Sequence, residues 1–214
     1  MIRSASANKL KKYTHHYHPI AIFTYLILLG VSSVFLTLSI SYFFTTLGSD
    51  LYRFELPVLF HANSVIILVS SYSMHQTRLA NLRDDAKGFS NGIMVTTLLG
   101  IAFTIFQIIA WKQLLEQGVN LRNNVAGAYL YVISGLHLLH LIAGVVLLSY
   151  FWLKAKEREN NPVAELLFDT DPNSKVKVKY LAVYWHFVDF LWIYLYLFFV
   201  LTTFLAKHGV TVSL

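Results

Sequence analysis

Residues 180–206 read YLAVYWHFVDFLWIYLYLFFVLTTFLA. Apart from the imidazole of His186, Asp189 is the only acidic or basic side chain in this stretch. A helix needs about 20 apolar residues to cross a hydrocarbon core of about 30 Å, so residues 180–206 are long enough to span a membrane. Working towards the N-terminus, four more such runs lie near 126–153, 92–116, 57–76 and 20–47. They are continuous rather than alternating, which argues against barrel strands of about 9–11 residues. No fixed-period repeat is visible. The expected fold is all-α: a polytopic membrane protein with a bundle of five transmembrane helices over 20–206. A basic N-terminal arm (1–19) precedes it and a short outer tail (207–214) follows.

Composition points the same way. Of the 214 residues, 56% are hydrophobic and only 13% charged, where soluble domains carry about 25%. The surface is too poor in charge for water, so lipid is the expected solvent. There is no cysteine, which excludes disulfides, iron–sulfur clusters and thiolate zinc sites. The net charge of +6 is no sign of a nucleic-acid partner, because the basic residues sit at the ends of the apolar runs. With the N-terminus inside, 13 of the 17 Lys and Arg fall on the inner side and 4 on the outer. Positive-inside bias therefore predicts N-inside, C-outside. The basic start followed by an apolar run invites a signal-peptide reading. The run from Ile20 is about twice an h-region, however, and no small-residue cleavage site follows Thr46, so it reads as a retained span. The long inner connection, about 154–179, contains Asn161-Pro162 and Asp171-Pro172, which favour turns. It is the one segment with room for a small extramembrane feature.

Ionisable groups inside a membrane are costly and need partners. Asp189 lies about 13 Å past the start of its span near Tyr180, too deep for its short side chain to reach water. Trp185, Asp189, Trp192 and Tyr196 follow an i, i+4, i+7, i+11 pattern and share one face, and His186 adjoins it. The expected role of Asp189 is a polar clamp, neutral or hydrogen-bonded, holding neighbouring helices together; the sharper alternative is proton carrying. His137 and His140 lie on one side of the fourth span. They could each ligate haem iron only with a partner on another helix, such as His61 or His186. The plainer reading is hydrogen bonding across helices that approach closely at Gly127, Gly135 and Gly144. Asn63, the nearby serines 64, 70 and 71, and Gln107 are expected to form interhelical hydrogen bonds. Trp111 is expected to anchor the outer end of its span. The His15-His16-Tyr17-His18 cluster reads as a wet interfacial arm, with metal binding as its alternative. The sequence has no phosphate loop, His-Glu-x-x-His, nucleophile elbow or Cys-x-x-Cys-His.

The string Tyr184–Asp189 followed by Trp192 resembles the signature of subunit III of the haem-copper respiratory oxidases. The other pieces occur in that family's order. They are Leu56-Pro57 with Asn63 and Ser70-Ser71, then Leu99-Gly100 with Phe103, Gln107 and Trp111, then Gly135-x-His137-x-x-His140 with Gly144. The resemblance covers roughly residues 20–205 and fits a short five-helix bacterial form that lacks the first two of seven spans. Loss of an even number of spans preserves the orientation inferred from charge. The resemblance implies a chain without a catalytic centre and without haem or copper of its own. Those cofactors would sit in partner subunits. This chain would bind subunit I directly, accompany subunit II and other respiratory-complex subunits, support proton entry and hold phospholipid in a cleft. It places the chain in a bacterial cytoplasmic membrane. Residues 20–47 contain no Asp or Glu, and Ala110 and Lys179 stand where the family often has Glu. Tyr184, Trp185, His186, Asp189, Trp192, His137, His140, Asn63 and Gln107 are the positions expected to be structurally demanding. The alternative function is a b-type haem-binding electron-transfer subunit.

Overall fold

A computed structural model describes residues 19–46, 56–119, 121, 125–161, 168 and 172–207. Regular structure among them is helical: α1 Pro19–Thr46, α2 Val58–Leu82, α3 Ala86–Glu116, α4 Val125–Asn160 and α5 Pro172–Lys207. The basic arm with its histidine cluster, residues 208–214 and most of the connection between α4 and α5 lie outside the described residues.

Four of the helices, α1, α3, α4 and α5, are long and apolar enough to cross a membrane. At 25 residues α2 is long enough too. Its serines, histidines, glutamine and asparagines make it less apolar than the others. The helices also outlast the apolar runs. Polar residues after 76 and before 180 mark where a chain leaves hydrocarbon, and a helix that keeps its own hydrogen bonds can continue into water. Thus α4 runs on to Asn160 and α5 begins at Pro172, so most of the expected 154–179 connection is helix.

Helix ends follow local chemistry. Pro57 immediately precedes α2, where its missing N–H costs nothing. Between α2 and α3, Asp84 takes φ 58°, a left-handed conformation that Asp tolerates. Asp85 then caps α3, its side chain accepting from the Gly88 amide at 2.9 Å. At the far end of α3, Gly118 has φ 81°. The Val119 amide donates to the Leu114 carbonyl at 3.0 Å, closing the helix in a Schellman arrangement with both side chains buried.

The helices α2, α3, α4 and α5 form a ring in which each packs on its neighbours, while α1 leans on α4 and α5 from outside. Without water to drive apolar burial, this packing relies on close approach and interhelical hydrogen bonds. Trp185 shows the first. It is fully buried between two glycines of facing helices. A Cβ on Gly100 would lie 2.9 Å from Trp185 Cη2, and one on Gly144 would lie 2.9 Å from Cζ3. Any larger residue at either position would occupy space the indole fills.

Candidate functional site

The residues singled out in the sequence converge on the seam between α2 and α5. The two helices run antiparallel and meet in four successive contacts. The rings of His61 and Tyr196 lie edge to face at 5.5 Å. Trp192 Nε1 donates to Ser64 Oγ at 3.2 Å, and Trp185 Nε1 donates to Ser70 Oγ at 3.0 Å. Ser71 Oγ and His186 Nδ1 share a hydrogen bond of 2.7 Å. Ser64 sends its own proton to the Phe60 carbonyl at 3.0 Å, which leaves its lone pairs facing the indole. An indole N–H can only donate and a serine oxygen can accept, so the Trp–Ser pairs satisfy both sides.

Trp185, Asp189 and Trp192 are all buried on the face that the i, i+4, i+7 spacing predicts, and Tyr196 is half-buried beside them. The clamp itself is differently built. Ser71 lies next to Asp189, yet neither carboxyl oxygen meets hydrogen-bond geometry with a described residue. The two tryptophans and His186 make the cross-helix bonds that sequence reasoning gave to the carboxyl.

A second buried contact ties α2 to α3. Asn63 Nδ2 donates to Gln107 Oε1 at 3.0 Å, with both side chains buried, as expected from the sequence. Replacing Asn63 with Leu should destabilise the chain by about 1–3 kcal/mol, because the Gln107 oxygen would be left buried without a donor. Replacing both by Leu should cost less than that single change, a crossover readable by thermal unfolding in detergent.

The two histidines of α4 part company. Residues three apart differ by about 60° around a helix, enough here to turn His137 inward and His140 towards α1. His137 is fully buried, its ring 5.2 Å from Trp192 and 5.8 Å from Phe103. His140 Nδ1 bonds the Leu136 carbonyl of its own helix at 2.6 Å, and its ring meets Phe35. The link across helices runs instead from the Tyr184 hydroxyl to the His140 carbonyl at 2.9 Å. His61, His137, His140 and His186 are thus each engaged by a different neighbour. Among the described residues no three His, Asp or Glu are placed to hold a metal ion. What the described residues of the site do is packing and hydrogen bonding.

The placing of three features was not legible beforehand. Trp111, half-buried, sends its indole N–H into the bundle to Ser134 Oγ at 3.1 Å. Ser41 and Tyr129 hydroxyls join α1 to α4 at 2.7 Å. A cleft of about 650 Å³ opens between α1, α4 and α5. Its walls include Phe23, Ile27 and Leu147, and Lys154 and Lys177 line it at the end of the bundle where α1 begins, α4 ends and α5 begins. A Lys near the end of an apolar run is a visible signal, but the cleft depends on how three separate helices diverge.

The sequence pattern of one protein family, described as Cytochrome c oxidase subunit III, matches residues 46–203. The chain is 31% identical over 144 residues to "Cytochrome c oxidase subunit 3" of Thermostichus vulcanus, covering 66% of this chain and 65% of that protein. It is 30% identical over 198 residues to the protein of the same name in Synechocystis, covering 86% and 76%. The protein so named in the echidna Tachyglossus aculeatus is 29% identical over 148 residues, but the match spans only 51% of its length.

Proposed function

The chain belongs to the cytochrome c oxidase subunit III family, and we propose that it is the non-redox accessory subunit of a haem-copper terminal oxidase of aerobic respiration. In this reading it lies in a bacterial cytoplasmic membrane with five spans, N-terminus inside and C-terminus outside. It packs against subunit I alongside subunit II, stabilises the oxygen-reducing centre and supports its proton uptake. Haem and copper belong to the partner chains. The observation that carries this reading is the use made of the family-like string. Trp185, His186 and Trp192 are spent on bonds to serines of α2, which makes the string a packing element. The functional test is a tagged chain purified from its native membrane. It should bring down an oxygen-consuming, haem-containing complex. An oxidase prepared without it should lose activity during turnover and take up protons more slowly. Purification without haem or oxygen consumption would end the proposal.

The cleft between α1, α4 and α5 suits part of one phospholipid, its headgroup end and the upper acyl chains. Its apolar walls suit acyl chains and its lysines suit a headgroup phosphate at the membrane surface. Lys154→Ala with Lys177→Ala should reduce co-purifying anionic phospholipid by about one molecule per chain, counted by native mass spectrometry. Undiminished lipid in the double variant would rule out this seat.

A further inference from the structure

The interior of the ring holds polar atoms that its helix–helix bonds leave unused. In the Asn63–Gln107 pair, Asn63 Oδ1 and Gln107 Nε2 have no hydrogen-bond partner among the described residues. The same is true of both ring nitrogens of His137. All three side chains are fully buried. A buried polar group without a partner is costly, and lipid tails cannot supply one.

The three residues stand at one level. Trp111 of α3 bonds Ser134 of α4, and Gly100 approaches Val145, so these two helices run antiparallel. Four residues back from Trp111 is Gln107, and four on from Ser134 is Leu138, the neighbour of His137. Asn63 is brought to the same level by its bond to Gln107. Trp192, bonded to Ser64 beside Asn63 and packed on His137, closes the level from α5. One turn outward on the same faces, Ala110 and Ser134 are small and fully buried, which suits a guest no larger than water. The carboxyl of Asp189 lies beside Ser71, about two turns of α2 from Ser64, and is outside this group.

The atoms are complementary to a water molecule. Asn63 Oδ1 accepts and Gln107 Nε2 donates. A neutral imidazole has one nitrogen that accepts and one that donates. Water can donate to Asn63 Oδ1 and to the bare nitrogen of His137 while accepting from Gln107 Nε2. Three bonds are the usual number for a buried water. The other nitrogen of His137, as N–H, is left to the Phe103 and Trp192 rings against it. Two amides and a neutral imidazole carry no charge to balance a metal ion, so a neutral guest fits them better.

We propose that Asn63, Gln107 and His137 bind a single water molecule inside the ring and that it joins α2, α3 and α4. His137 is then a ligand of water, which accounts for an imidazole buried at the centre of the bundle.

The first test is an electron-microscopy map of the native complex fine enough to show ordered water. Density should stand about 2.7–3.2 Å from Asn63 Oδ1, Gln107 Nε2 and one nitrogen of His137. A direct bond between Gln107 and His137, or no density between them, would overturn the site. The second test uses the full chain in nanodiscs with isotope-labelled histidine. The His137 signals are identified by their loss in His137→Phe. Water should transfer magnetisation to the ring protons of His137. Asn63→Leu with Gln107→Leu keeps the imidazole and removes the other two ligands, so that transfer should be lost. Absence of transfer in the unaltered chain, or its persistence in the double variant, would overturn the proposal. If the double variant does not fold, the map decides alone.

Discussion

Trp185→Ala is expected to lower the stability of the chain by about 3–5 kcal/mol, the range for truncating a large buried aromatic. The indole is fully enclosed. It contacts Gly100 on α3 and Gly144 on α4, and it bonds Ser70 on α2, so one side chain of α5 touches every other helix of the ring. Alanine removes those contacts and leaves the Ser70 hydroxyl without its donor. The two glycines cannot close the gap, because they have no side chain to move into it. Denaturant titration in mixed micelles measures the loss. The variant should also dissociate more readily from any complex the chain belongs to, as α5 would no longer be held in register. A loss below about 1 kcal/mol would mean that the ring collapses around the missing indole and is less rigid than its packing indicates.

Gly144→Leu should be destabilising by about 1–3 kcal/mol for the opposite reason, overpacking. The first added carbon would already fall 2.9 Å from Trp185 and 3.2 Å from the Tyr184 ring. Both rings are fixed by hydrogen bonds, Trp185 to Ser70 and Tyr184 to the His140 carbonyl, so neither can yield cheaply. The informative measurement is the double variant. If indole and glycine share one space, Gly144→Leu in the Trp185→Ala background should recover part of the lost stability, because leucine fills the vacated volume. Strictly additive losses would show that the two positions do not share that space.

The ring and its seam were legible to different degrees. The heptad-like placement of Trp185, Asp189 and Trp192 identified the buried face of α5, because helical geometry alone decides which residues share a side. The Asn63–Gln107 bond was foreseeable in kind, since buried amides within a membrane have few alternatives to each other. That Asp189 would stand beside Ser71 without making the cross-helix bond was not foreseeable. A carboxyl looks like the strongest polar group in the string, but its side chain is short. The serines of α2 are met by the longer indoles and by His186. His137 and His140 were misjudged as cross-helix donors because sequence spacing says that two residues are neighbours, not what faces each. The boundary errors have one cause: hydropathy reports where the solvent changes, and α4 and α5 keep their helical hydrogen bonds beyond that point.

Helix α1 has its neighbours in α4 and α5, although it is the first of the five to leave the ribosome. Its two neighbours are the last to be made, so the first helix synthesised is not the first that can be packed. The hydroxyls of Thr24, Ser32, Ser33, Thr37 and Thr45, folded back on its own carbonyls, suit it to that solitary interval. A ribosome arrested before α4 would therefore leave a chain whose first helix is inserted without either of its neighbours.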